Sequence, residues 1–141
     1  MDFEEKKIEK AGGLLREFKG DSYIFGLNCL GKIGSLAKKM GGSAILIIPQ
    51  SQWANNLRLF ILKSLENHGI SILKVVDRPR PNAPTEDLYR LQDEIEKLNP
   101  GMVIAVGGGS TIDLAKAATV LSTYNPGRHD VEPFFGVGRV T

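Results

Sequence analysis

Apolar residues along the chain fall into two rhythms. Ala44-Ile45-Leu46-Ile47-Ile48 and Met102-Val103-Ile104-Ala105-Val106 are unbroken runs, and residues 70–76 form a third apolar stretch. A run without polar alternation suits a strand covered on both faces, as in a parallel sheet. Between these runs the apolar spacing becomes three and four residues, the period of one helix face. Ile33, Leu36, Ala37 and Met40 form such a face ahead of Gly41-Gly42. Trp53, Leu57, Phe60, Ile61 and Leu65 form a second, within residues 51–67. Leu88, Leu91, Ile95 and Leu98 form a third, stopped by Asn99-Pro100-Gly101. Asn28 and Thr85 stand where the first and third of these helices need caps. A leading helix is expected over residues 2–18, on Ile8, Ala11, Leu15 and Phe18, with Gly12-Gly13 costing about 1 kcal/mol each relative to alanine. Residues 22–25 read as a short strand, and a last helix is expected over residues 111–121. Buried strands alternating with helices predict an α/β fold, a Rossmann-like and mostly parallel sheet with helices on both faces. Ligands of such sheets sit beyond the carboxyl ends of the strands, which directs attention to the residues just after Ile48, Val76 and Val106.

Composition narrows the picture. With 141 residues, 42% hydrophobic and 24% charged, the chain matches one ordinary soluble domain. A net charge of +2 with both signs interspersed excludes the basic stripe of a nucleic-acid-binding domain. Lys32, Lys38 and Lys39 are expected on a solvated helix face. The single cysteine, Cys29, cannot form an internal disulfide and is expected to pack as a structural thiol beside Leu30, Ile33 and Leu36. The charged start Met1-Asp2-Phe3-Glu4-Glu5-Lys6 lacks the apolar stretch of a signal peptide, and no run reaches bilayer length. A cytoplasmic protein without membrane partners is expected.

The strongest chemical signal is Val106-Gly107-Gly108-Gly109-Ser110-Thr111-Ile112-Asp113, where a strand enters three glycines and a helix leaves them. Residues without a Cβ let the backbone turn sharply and approach a ligand. The new helix offers unpaired N–H groups and the positive end of its dipole, a site suited to a pyrophosphate. A capping box, with Ser110 as cap answered by Asp113, is compatible with that site. The spacing is neither the usual dinucleotide fingerprint nor a P-loop. Pro81-Asn82-Ala83-Pro84-Thr85 comes after the second buried strand on the same side; taken alone it reads as an ordinary turn in which Asn82 offers a donor and an acceptor.

The segment Gly107-Gly108-Gly109-Ser110-Thr111-Ile112-Asp113-Leu114-Ala115-Lys116 resembles the signature glycine turn of the iron-containing alcohol dehydrogenases. Pro81-Asn82-Ala83-Pro84-Thr85 is similar to that family's Pro-Asn-Pro-Thr loop, and Phe25-Gly26 and Phe135-Gly136-Val137-Gly138 fit as well. The similarity runs over residues 19–141 and points to the family's dehydroquinate synthase-like N-terminal domain. The resemblance implies NAD or NADP as cofactor and hydride exchange with a small alcohol or aldehyde. It implies that Gly107, Gly108, Gly109 and Ser110 hold the pyrophosphate, with Thr111, Ile112 and Asp113 beside them and Asn82 near the cofactor. Family members often carry an aspartate after the first core strand that bonds the adenosine ribose and favours NAD. Here Pro49 stands in that place, with Gln50 and Ser51 next in the chain, which predicts weak discrimination or a tilt towards NADP.

The family's metal site uses an aspartate and three histidines on a second, helical domain. This chain has His68 and His129 alone, without the spacing of a ligand pair. His68 is expected to favour a helix C-terminus, and His129 falls in a loop without an evident partner. The chain is therefore expected to be one dinucleotide-binding domain, the N-terminal part of a longer enzyme whose iron or zinc is held elsewhere. Arg139-Val140-Thr141 reads as an interrupted strand. No catalytic or metal-binding residue is expected here, and apolar surface awaiting the other domain would favour a homo-oligomer. Two alternatives are a stand-alone, non-catalytic nucleotide-binding module and a part of a dehydroquinate synthase- or glycerol dehydrogenase-like relative. Lys116-Ala117 and Ser110 depart from the patterns of those two enzymes.

Overall fold

The run 44–48 supplies the centre of the molecule. In a computed structural model, which describes residues 2–134, Ser43–Ile47 forms strand β1, and Ala44 to Ile48 are all at most 1% exposed. The strand is flanked on one side by β2 (Ser71–Val76) and on the other by β3 (Met102–Ala105), both parallel to it. Pairing of Ile47 with Val76 and with Ala105 brings the three carboxyl ends into line. The fold is α/β, with helices on both faces of a parallel sheet.

Alternate residues of β1 serve the two faces. Ile45 and Ile47 pack with Leu88, Leu91 and Ile95 of α4 (Thr85–Leu98) and with Leu114, Ala118 and Leu121 of α5 (Gly109–Tyr124). Ala44, Leu46 and Ile48 pack with Ala37 of α2 (Ile33–Lys38) and with Ile61 and Leu65 of α3 (Asn55–Asn67). Each fully buried aliphatic side chain contributes about 1.5–3 kcal/mol, so the central strand is the main source of cohesion.

Several local expectations are corrected. Residues 22–25 form no strand: Gly20–Ser22 is a 3-10 turn and Tyr23 to Phe25 run on without a partner strand. Asn28 adopts the left-handed conformation ahead of a 3-10 turn, Cys29–Lys32, and its side chain caps nothing. Cys29 is half-buried rather than enclosed. The leading helix forms as α1 (Phe3–Lys19), capped by Asp2 and Glu5, but its apolar face is not a core face. Ile8 and Phe18 are exposed, and Gly12, against Phe25, is the buried position. Trp53 and Phe60 also face outward, because Ile61 and Leu65 already fill the contact of α3 with the sheet. Thr85 is the first helical residue, with Pro84 in the cap position, where proline's fixed φ suits an extended entry. The family-like segment Phe135-Gly136-Val137-Gly138 and the expected strand at Arg139-Val140-Thr141 lie outside the described residues.

Candidate functional site

The glycine turn lies at the carboxyl end of β3, beside the end of β1, where the Val106 amide donates to the Ile47 carbonyl at 2.8 Å. Each of its glycines meets a different environment. A Cβ on Gly107 would come within 2.7 Å of Thr111 Oγ1, so the buried Thr111 packs directly on the turn. Gly108 and Gly109 have open space where a Cβ would project. Gly108, with φ −83° and ψ −172°, is the cap of α5, and the Thr111 and Ile112 amides both donate to its carbonyl at 3.1 Å. The expected Ser110–Asp113 capping box is corrected accordingly. The helix begins two residues earlier than expected, at Gly109, so Ser110 lies inside the first turn and no side chain caps it.

This arrangement fits an anion. The amides of Gly109 and Ser110 precede the helical hydrogen-bond ladder. The first turn of this 16-residue helix holds no acidic residue that would occupy or repel the site. Empty volume over Gly108 and Gly109 is what a pyrophosphate requires and a side chain would fill. Ser110 is exposed at the same place.

The other predicted residues divide between two neighbouring places. Asn82 and Ala83 both take left-handed φ, 64° and 45°, in a turn closed by the Ala83 amide on the Arg80 carbonyl at 3.0 Å. Ala83 and Thr85 then face Asp113 and Lys116 across a cleft of about 570 Å³ whose remaining wall is apolar, including Leu88 and Phe134. Asn82 thus stands next to this cleft, on the same side of the sheet as Asp113. Ile112 lines a second cleft of about 520 Å³ with Val103 and Ala105, along the outer edge of β3. Pro49 is buried at the end of β1, with its carbonyl accepting from Arg58 Nη1 at 3.0 Å.

The loop before α4 is fixed by charge. The Arg80 amide donates to Asp87 Oδ2 at 2.8 Å, and its guanidinium Nη2 lies 3.0 Å from Asp87 Oδ1. These hydrogen bonds hold the buried Asp87 carboxyl below the usual carboxylate range and raise the Arg80 guanidinium. The hydrophobic pattern gave no sign of this anchor, although an acid in the first turn of a helix is a recognisable signal.

Both histidines have structural partners. At the end of α3, His68 Nδ1 donates to the Ser64 carbonyl at 2.8 Å, consistent with its expected helix-end position. The expectation that His129 lacks a partner is corrected: its Nε2 lies 2.7 Å from Asp93 Oδ1 and its ring stacks on Tyr89 at 4.7 Å. His68 caps the end of α3, packed on one face of the sheet, and His129 belongs to the segment against α4 on the other. Among the described residues no three potential metal ligands gather. No described helix is long and apolar enough to cross a membrane.

A sequence profile of the iron-containing alcohol dehydrogenases matches residues 20–141. Similar solved structures include an archaeal halo-thermophilic alcohol dehydrogenase from a Red Sea brine pool, at 27% identity and TM-score 0.65 over 72% of this chain and 25% of that one. An NADH-dependent butanol dehydrogenase A from Thermotoga maritima shares 26% identity at TM-score 0.66, over 79% of this chain and 28% of that one. An iron-containing alcohol dehydrogenase from the same organism shares the fold, with TM-score 0.67 and 24% identity over 79% of this chain and 31% of that one. The chain thus spans about a quarter to a third of the length of these relatives. No curated protein matches it at a significant level.

Proposed function

The chain belongs to the iron-containing alcohol dehydrogenase family, and from that premise we propose that it is the dinucleotide-binding domain through which such an enzyme holds NAD(P). One observation carries the reading: open volume over Gly108 and Gly109 at the acid-free start of α5. The amides of Gly109 and Ser110 would bind the pyrophosphate, and Thr111 would hold the turn in place by packing on Gly107. Asn82 would lie to one side of the dinucleotide and Pro49 to the other. Asp113 and Ile112 would border the site from the first turns of α5.

Bound NAD(P) would accept a hydride from the carbinol carbon of a small alcohol, or return it to an aldehyde. What this chain supplies is binding and orientation. It carries no catalytic group and no metal ligand in this reading; the family's iron, or zinc in its place, belongs to residues outside this domain of a longer two-domain, cytoplasmic enzyme.

The test is calorimetric titration of the chain with NADH and NADPH, beside a Gly108→Val variant. The variant should remain folded, because a Cβ at this position meets nothing within 4 Å and projects into open space. Its affinity should fall by more than tenfold, about 1.4 kcal/mol. Equal affinities in two folded proteins would refute the assignment.

A further inference from the structure

Arg58 is a half-buried cation held beside the end of β1 by neutral groups. Its Nη1 donates to the Pro49 carbonyl at 3.0 Å and its Nη2 to Asn55 Oδ1 at 2.9 Å. Among the described residues it forms no ion pair, unlike Arg80 and Arg90, which both reach Asp87. A guanidinium has five donors, so most of this fork's capacity is left over. The carboxylate that bonds the 49–51 loop, Asp77 just after β2, is engaged by backbone: its Oδ1 accepts from the amides of Gln50 and Arg78 at 3.0 and 2.8 Å. Those bonds and the one from Gln50 Nε2 to the Ile48 carbonyl fix the 49–51 loop, which has no acid of its own.

The position of this cation matters because of the strand order. β1 is the direct neighbour of β3, and Ile47 pairs with Ala105 just below the glycine turn. Pro49 and Gly108 therefore lie on adjacent strand ends, on the order of one to two strand spacings apart, ~5–10 Å. A dinucleotide with its pyrophosphate over Gly108 and Gly109 would place its adenosine ribose in this region.

Resting on the dinucleotide-binding reading, we infer that Arg58 is the specificity-determining residue that selects a 2′-phosphorylated dinucleotide. It offers anchored donors to the phosphate beside residues 49–51, which carry no acid of their own, while the neighbouring Asp77 carboxylate is occupied by the amides of Gln50 and Arg78. Asn55 and the Pro49 carbonyl are its positioning partners. The remaining N–H groups of the guanidinium make the contact.

The test uses equilibrium binding of the full chain to NADPH and NADH, and to 2′,5′-ADP and 5′-AMP as fragments. The wild type should bind each 2′-phosphorylated ligand at least tenfold more tightly than its partner. Arg58→Gln should lose about ten- to a hundredfold for the phosphorylated ligands, the range of a charge-assisted contact, while NADH changes by less than about threefold. Wild-type preference for NADH, or an equal loss for both ligands in Arg58→Gln, would overturn the role of Arg58 and leave the dinucleotide site standing. Binding of neither dinucleotide would overturn both readings. Should Arg58→Gln unfold, Arg58→Met decides, since it keeps the apolar stem and removes the charge: the preference for the 2′-phosphorylated ligands should disappear, and an unchanged preference refutes the inference.

Discussion

Three consecutive glycines look equivalent in the sequence, and the structure gives them different physical tasks. Gly107 is required by the protein itself, since a Cβ there would press on Thr111 Oγ1 at 2.7 Å and on Thr111 Cβ at 2.9 Å. Thr111 is buried and branched at Cβ, so it has little freedom to yield. Gly107→Ala should therefore destabilise the fold by about 1–3 kcal/mol, the usual cost of overpacking, with a lowered denaturant midpoint as the readout. Gly109→Ala, at the first helical position, should hold or slightly raise the midpoint, because nothing lies within 4 Å of the added carbon and alanine favours a helix by up to about 1 kcal/mol. Equal midpoints for the two variants would contradict the packing argument. The turn itself was legible in the sequence, but this division was not. It depends on which way Thr111 points, and that is set by where α5 begins. An initiation at Gly109 instead of Thr111 rotates the whole first turn.

At the scale of elements, the loop between β2 and α4 is held by Asp87, the third residue of its helix. Its carboxyl takes the Arg80 amide and guanidinium while almost fully buried. Because Arg80 lowers the folded-state pKa of Asp87, this contact stabilises the protein above the usual carboxylate pKa near 3.8. The stabilisation is lost as pH falls through the lower, folded-state value. Asp87→Asn should thus cost about 1–2 kcal/mol of stability at pH 7, for a charge-assisted bond made neutral, read as a lower melting temperature. The gap between variant and wild type should narrow as pH falls below about 3.8, and a gap that stays constant under acidification would show that charge is not the cause. The elements legible in the sequence were those with a conflict-free pattern. β1, β3 and α4 have apolar sets that fit one period and one face, and each forms within two residues of expectation. The misread ones are short or lie at the border of the sheet. Residues 22–25 have strand-like side chains but no neighbouring strand to pair with, and a strand exists only as part of a ladder. The segment 125–130 is held by groups without any sequence period: Gln92 Nε2 donates to the Asn125 and Arg128 carbonyls, and Asp93 meets His129.

At the scale of the whole molecule, the parallel sheet divides the potential metal ligands. Holding a catalytic metal takes about three protein groups around one point, with a position left open. The chain contains two histidines. One is committed to a helix carbonyl on the α2/α3 face and the other to Asp93 on the α4 face, with the fully buried β1 between them. No rotation of side chains brings them together without unfolding the sheet. Asp113 and Lys116 share a cleft next to the glycine turn, but a single carboxylate beside an ammonium is a poor cation site. We therefore predict that the 141-residue chain, purified and dialysed against iron or zinc, retains less than one metal per chain and gives no measurable NAD(P) reduction with simple alcohols. Without a Lewis acid the alkoxide is not stabilised, and hydride departure is slow even when a dinucleotide is bound. Apolar side chains left in water, among them Leu27 at 98% and Trp53 at 69% exposure, should also draw copies of the chain together, so sedimentation should report a mass above 15.4 kDa. The measurements separate the two properties: metal analysis and turnover test the ligand count, while titration with NADPH tests the cradle. Stoichiometric metal bound to the folded chain, or turnover that survives repurification, would mean that the chain gathers ligands across its sheet in a way this fold forbids.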